Sequence, residues 1–233
     1  MVTVENAVLA KMKTQGANFE ILVDCEKAIA FRGGANIDIR DVLAAQNVFS
    51  DSKKGLPASE IQMQQIFGTA NPLEVAKEII RKGEIQLTAE YRQKLREQKK
   101  KQIINFIHVN AIDPKTGFPH PATRIEAAID QSKVKIDEYA PVEKQMDGVL
   151  KEIRIMLPIK FVMKEIAVKF PAEYAGKGNY AVQGFGKLIK QEWQSDGSWV
   201  AVVEIPGGLE EEFYDKINSV THGNAETKRL AIK

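Results

Sequence analysis

The chain has 233 residues, with 33 Lys and Arg against 31 Asp and Glu, a net charge of +2 and a pI near 8.5. A hydrophobic content of 44% and a charged content of 27% describe a folded globular protein with room for one or two ordinary domains or three small ones. No apolar run approaches a membrane span, the polar, alternating start MVTVENAVLAKMK is unlike a signal peptide, and the single cysteine, Cys25, excludes an internal disulfide framework, so a cytoplasmic protein is expected.

The first ~85 residues open with strand signals. NFEILVDCEKAIAFRGG contains two short apolar runs separated at Asp24–Lys27 and is expected to form a hairpin ending at Gly33–Gly34. Ser59 and Gln62 make a capping box ahead of QMQQIF. Asn71 as N-cap, Pro72 at the first helical position and Glu74 open a further helix that Gly83 stops. GEIQLT is the expected last strand of this small sheet with helices on it.

From Thr88 the pattern becomes helical. Thr88 can cap a long helix through YRQKLREQKKK to about Asn110, and DPKTGFPHP then breaks it. RIEAAIDQS predicts a second helix, and a third follows Pro141 with Val142, Met146, Val149, Leu150 and Ile153 on one face. The remainder reads as strand, helix, strand, strand, helix, strand. RIMLPIKF is the first strand, VMKEIAVKF starts the helix, and GKLIKQEWQ pairs with SWVAVVEIP across a turn at Asp196–Gly197. GLEEEFYDKINSV and AETKRLAIK complete a ferredoxin-like βαββαβ pattern. The expected fold class is therefore α+β and multidomain: a mixed domain with a small sheet over residues 1–87, three helices over 88–152 and a ferredoxin-like domain over 153–233.

Catalytic motifs fail on context. GKGNYA at Gly176–Ala181 formally matches a relaxed dinucleotide fingerprint but lacks the required preceding strand, and is expected to be a flexible connection. Gly186–Lys187 resembles the end of a phosphate loop, yet Leu188 stands where a metal-holding hydroxyl is needed. VFSDSKKG has its lysines ahead of its glycine. His108, His120 and His222 lack metal-ligand spacing, and Cys25 is expected to be an inert thiol buried in a strand. No catalytic residue, cofactor site or metal site is assigned. The acidic Glu210, Glu211 and Glu212 are expected to open a helix, where its dipole favours them.

Binding signals are stronger. Arg92, Lys94, Arg96, Lys99, Lys100 and Lys101 crowd one predicted helix, Lys53 and Lys54 occupy a glycine-ended loop with Ser52 and Gly55, and Lys11, Lys13, Lys115 and Arg124 lie near turns. Such patches can grip phosphates by counterion release without reading sequence. Sparse aromatics argue against a single-strand stacking platform, so structured RNA fits better.

Several blocks occur in an order that resembles the Shwachman–Bodian–Diamond syndrome protein family. They are Met12, Lys13, Gly16, Phe19, Glu20 and Ile21; then Val48, Phe49, Lys54 and Gly55; then Ile66–Thr69; then Lys82–Leu87. The resemblance covers the whole chain and implies a non-enzymatic maturation factor that binds the large ribosomal subunit and its ribosomal RNA. It also implies a three-domain order whose last domain resembles the fifth domain of the translocase elongation factor. The implied partner is a translocase-like GTPase, with which the protein promotes release of the anti-association initiation factor six; the protein itself is expected to act as a monomer. Carried onto this chain, Ser52, Lys53, Lys54 and Gly55 and the Lys11–Lys13 strand end would approach the RNA. Eukaryotic relatives continue with further basic residues where this chain has LPAS at Leu56–Ser59, and the chain ends soon after its last predicted strand, which marks an archaeal-type member. The alternatives are a general RNA-binding accessory protein in RNA processing, and an enzyme that places a nucleotide near Gly176–Gly186.

Overall fold

The computed structural model describes residues 3–232. It divides into two compact units, Met1–Leu95 and Arg96–Lys233. Among the described residues no helix is long and apolar enough to cross a membrane.

The first unit begins with a hairpin of β1 (Val8–Thr14) and β2 (Ala17–Val23). Its two-residue turn, Gln15–Gly16, has φ of 48° and 76°, the left-handed pair that matches strand twist. Then follow α1 (Cys25–Arg32), α2 (Ile39–Val42), β3 (Phe49–Asp51), β4 (Leu56–Pro57), α3 (Glu60–Phe67), α4 (Pro72–Lys82) and β5 (Glu84–Ile85). The sheet order is β4-β3-β2-β1-β5. Ala10, Phe19, Ile21 and Val23 point to one side of this sheet and bury against Ala28, Ile39 and Val42 and against Val75, Ala76, Ile79 and Ile80 of α4. The caps at Ser59 and Asn71 form as expected: Ser59 accepts from the Gln62 amide and Asn71 from the Leu73 amide.

CEKAIAFR is a helix, not the second arm of a hairpin. Asp24 caps it by accepting from the Lys27 amide at 3.0 Å, Glu26 favours its N-terminus, and Arg32 ties its far end to the carbonyls of Ile80 and Gly83. Cys25 is accordingly the first residue of α1 rather than a strand residue; it is buried, with Sγ 3.9 Å from the Gln86 carbonyl.

The long helix α5 (Ala89–Asn110) crosses the division between the units, and the Thr88 hydroxyl accepts from the Tyr91 amide at its start. In the second unit β6 (Ala111–Ile112), α6 (Ala122–Ser132), α7 (Val142–Ile153) and β7 (Lys160–Phe161) follow. Ile103, Ile104 and Ile107 pack with Ile125, Ile129, Met146, Val149, Leu150 and Ile153. Two histidines brace this region: His108 Nδ1 donates to the His120 carbonyl at 2.8 Å, and His120 Nε2 donates to the Pro158 carbonyl at 2.6 Å.

The chain then forms β8 (Met163–Phe170), α8 (Ala175–Gln183), β9 (Lys187–Trp193), β10 (Trp199–Pro206), α9 (Glu210–Thr221) and β11 (Glu226–Ile232). The strand order β11-β8-β10-β9, antiparallel throughout, is the ferredoxin-like arrangement. Three expectations shift here. VMKEIAVKF is the first strand rather than the helix, with Lys164, Ile166, Val168 and Phe170 buried on one face. Of RIMLPIKF only Lys160–Phe161 is extended, and it pairs with β6. The helix instead contains GKGNYA, which is thus not a flexible connection. Gly178 sits there because any Cβ would collide with the Phe170 ring.

Lys164, 1% exposed, escapes its desolvation cost by an ion pair with Glu210 at 2.5 Å and a hydrogen bond to the Gly117 carbonyl at 3.2 Å. Arg229 reaches the other Glu210 oxygen at 2.5 Å, and the Tyr214 hydroxyl donates to it at 3.2 Å. Burial pushes the Glu210 carboxyl up, but the bonds from Lys164 and Arg229 outweigh it and hold the group below the usual carboxylate range. Glu210–Glu212 do open α9 as expected, although Glu210 is turned inward rather than merely placed at a helix end.

Candidate nucleic-acid interface

The helix-free face of the first sheet collects cations. Alternation along β1 turns Ala10 and Met12 to the core and Leu9, Lys11 and Lys13 away from it. The register pairs Lys11 with Glu20 and Lys13 with Asn18 on β2, while Glu20 pairs with Phe49 on β3. This brings the loop after β3 beside the strand lysines. Lys11, Lys13 and Lys53 line one cleft of about 320 Å³ with Leu9, Asn18, Glu20, Ser50, Asp51 and Gln86.

Glu20 is the post on which the loop hangs. Its Oε2 accepts from the Ser52 amide at 2.8 Å and the Ser52 hydroxyl at 2.7 Å, and its Oε1 accepts from Asn18 Nδ2 at 2.8 Å. Burial pushes this carboxyl up, but the bonds from Ser52 and Asn18 prevail and hold it below the ordinary range. Asp51 accepts from the Lys54 amide at 3.1 Å, the Gly55 amide donates to the Ser52 carbonyl at 3.2 Å, and Gly55 takes a φ of +67° that favours glycine. Ser52 is therefore committed to the fold, and Lys53 and Lys54 are what the loop presents.

The lysines differ in freedom. Lys11 Nζ lies 3.2 Å from Glu84, and Lys54 Nζ lies 3.5 Å from Asp51. Lys13 and Lys53 have no ion-pair partner among the described residues. The buried Asn18 Oδ1 also has no hydrogen-bond partner there. A cleft with ammonium groups on its walls suits an anionic group such as a phosphodiester, held as a point-charge contact rather than a base-reading one.

The other basic candidates are not gathered into this cleft. On α5, Arg92, Lys94, Arg96 and Lys101 are exposed and Lys99 is half-buried. Lys94 pairs with Glu26 at 2.9 Å. Lys100 is only 12% exposed and lies between Glu126 at 3.1 Å and Asp130 at 2.8 Å, which makes it a packing residue of the second unit. Burial lowers its ammonium pKa, but those two carboxylates prevail and raise it. Lys115 sits in the turn closed by Asp113, and Arg124 is exposed in the first turn of α6. The sequence reading passed over Asn18, Glu20 and Lys82, the last of which flanks Lys11 and Lys13 in a neighbouring groove of about 420 Å³. Glu20 carried a signal as part of the FEI block; Asn18 carried none until the hairpin register was known. Among the described residues no group of three or more His, Cys, Asp or Glu is placed to hold a metal.

Comparison with known families accounts for nearly the whole chain. Residues 6–93 match the N-terminal domain of the Shwachman-Bodian-Diamond syndrome protein, residues 101–162 match domain II of that protein, and residues 164–232 match its C-terminal domain. A protein of Methanothermobacter thermautotrophicus named "Ribosome maturation protein SDO1 homolog" is 48% identical over 99% of this chain and 100% of its own length. A namesake from Aeropyrum pernix is 38% identical over 96% of each chain. "Ribosome maturation protein SBDS" of Caenorhabditis elegans is 26% identical over 98% of this chain and 90% of its own. With three domain matches in order and full-length similarity to these relatives, the chain belongs to the Shwachman–Bodian–Diamond syndrome protein family.

Proposed function

We propose that this protein is a ribosome maturation factor that grips the large subunit through ribosomal RNA, using the basic face of its first sheet. The observation that carries the reading is the convergence of Lys11, Lys13 and Lys53 on one cleft, on a chain whose full-length relatives are named ribosome maturation proteins. Three lysines and an ordered loop supply affinity for a folded RNA backbone without sequence readout. In this reading the protein contributes geometry rather than chemistry. It acts in the cytoplasm as a monomeric adaptor with boundaries near residues 87 and 152, and assists a translocase-like GTPase in releasing the anti-association initiation factor six. The ferredoxin-like strand order supports the translocase comparison.

Co-sedimentation with purified large subunits tests the reading. Binding is expected at roughly 50–100 mM salt, where phosphate contacts persist. Lys53→Glu with Lys54→Glu is expected to weaken it while leaving Tm within about 1 °C, because exposed charges contribute little to folding. Equal affinity for unrelated structured RNAs would favour a general RNA-binding accessory protein instead.

A further inference from the structure

Helices α8 and α9 lie side by side on one face of the ferredoxin-like sheet, and the space between them is not filled. The opening amounts to about 680 Å³. Small residues on α8 and at its end leave it open: Gly176, Ala181 and the capping Gly184 line its wall, and a Cβ added at Gly176 would meet nothing within 4 Å. The floor is apolar, with Ala181 7% exposed and Phe185 and Val220 half-buried against the core. Tyr180 stands at the rim, 85% exposed. A single exposed aromatic is ordinary on a protein surface, but one standing over an unfilled apolar trough is an anchor point for a partner.

The charges of the groove have one sign. Lys177 lines it from α8 and Lys216 from α9, His222 closes one end, and no carboxylate belongs to its lining. Neither lysine has an ion-pair partner among the described residues. The complement of this surface is therefore anionic at its edges and apolar at its centre. Nucleic acid meets only the first requirement, since two lysines and one exposed ring make a poor track for phosphates and bases. An amphipathic protein helix meets both, with apolar residues at i and i+4 in the trough and carboxylates along the lysine rims.

We propose that the α8–α9 groove docks an acidic helical segment of another protein, anchored by apolar side chains against Tyr180, Ala181 and Val220. The test uses the full chain and a fluorescein-labelled peptide of about 15 residues, long enough for four helical turns. The peptide carries Leu and Phe at i, i+4 spacing and Glu elsewhere, and binding is read by anisotropy at low salt. Saturable binding is expected. Tyr180→Ala, and separately Lys177→Glu with Lys216→Glu, should each weaken it by about tenfold or more. Gly176→Leu should abolish it by filling the trough, with no loss of Tm, because the added atoms enter open space and leucine is the better helix former. The proposal is overturned if the peptide with Ser in place of Leu and Phe binds equally, if an RNA hairpin binds more tightly through the same residues, or if Gly176→Leu instead abolishes self-association of this chain. Absence of saturation at millimolar peptide overturns it as well.

Discussion

Glu210→Gln is predicted to be among the most damaging conservative substitutions in the second unit. The carboxylate is the common partner of Lys164 at 2.5 Å and Arg229 at 2.5 Å, and the Lys164 side chain is 1% exposed. An amide of the same shape can still accept a hydrogen bond but leaves the buried ammonium without the charge of Glu210, which is its ion-pair partner among the described residues. Stranding one member of a buried pair costs about 3–5 kcal/mol, or about 10–15 °C in Tm for a unit of this size. Lys164→Met should cost less, about 1–2 kcal/mol, because Glu210 keeps the half-exposed Arg229 and the site stays packed. The double substitution should then recover about 2 kcal/mol relative to the sum of the singles. Urea unfolding followed by tryptophan fluorescence reads this region selectively, since both tryptophans, Trp193 and Trp199, lie in its sheet. The pH dependence has a fixed sign. Glu210 has a folded pKa below its unfolded value, so its contribution is complete above the unfolded value and is lost as pH falls through the folded one. Glu210→Gln should flatten that acid limb. A cost below about 1 kcal/mol with an unchanged acid limb would refute the buried-pair reasoning.

Gly178→Ala should destabilise the same unit by about 1–3 kcal/mol, since its methyl would displace the Phe170 ring that stacks on Trp199 at 5.5 Å; the fluorescence melt reports it directly. Lys100→Met should lower Tm by roughly 1–2 °C, because Glu126 and Asp130 then face each other as like charges at i, i+4, whereas Lys101→Met should leave Tm unchanged. An unchanged Tm for both substitutions in a thermal melt would place Lys100 on the solvated face after all.

What could be seen in the sequence follows from which signals are local. Asn71–Pro72, Ser59 with Gln62, Thr88 and the Asp196–Gly197 turn act through neighbouring backbone groups, and each element they predict is present. The α1 helix was hidden because it is only eight residues long and opens on an aspartate without a reciprocating acid three residues later. Strand β8 was hidden by Lys164: a cation at an inward position breaks the apolar alternation, and only the distant Glu210 and Gly117 make it tolerable. The groove helix α8 was hidden by two glycines, of which Gly178 answers to Phe170 and Gly176 to nothing in the fold. At the basic face the lysines themselves were legible. Their grouping was not, because it depends on the Lys11–Glu20 register and on Glu20 turning Ser52 from a surface residue into an anchor.

The most direct test of the central claim is the salt dependence of large-subunit binding by the native chain and by a Lys11→Gln, Lys13→Gln, Lys53→Gln triple variant. Each phosphate contact contributes about 0.7–0.9 to the slope of log affinity against log salt between about 50 and 200 mM. The basic cleft predicts a slope smaller by about 2–3 in the variant, with weaker binding at every salt concentration and an unchanged melt. The same affinity and the same slope in both proteins would contradict it.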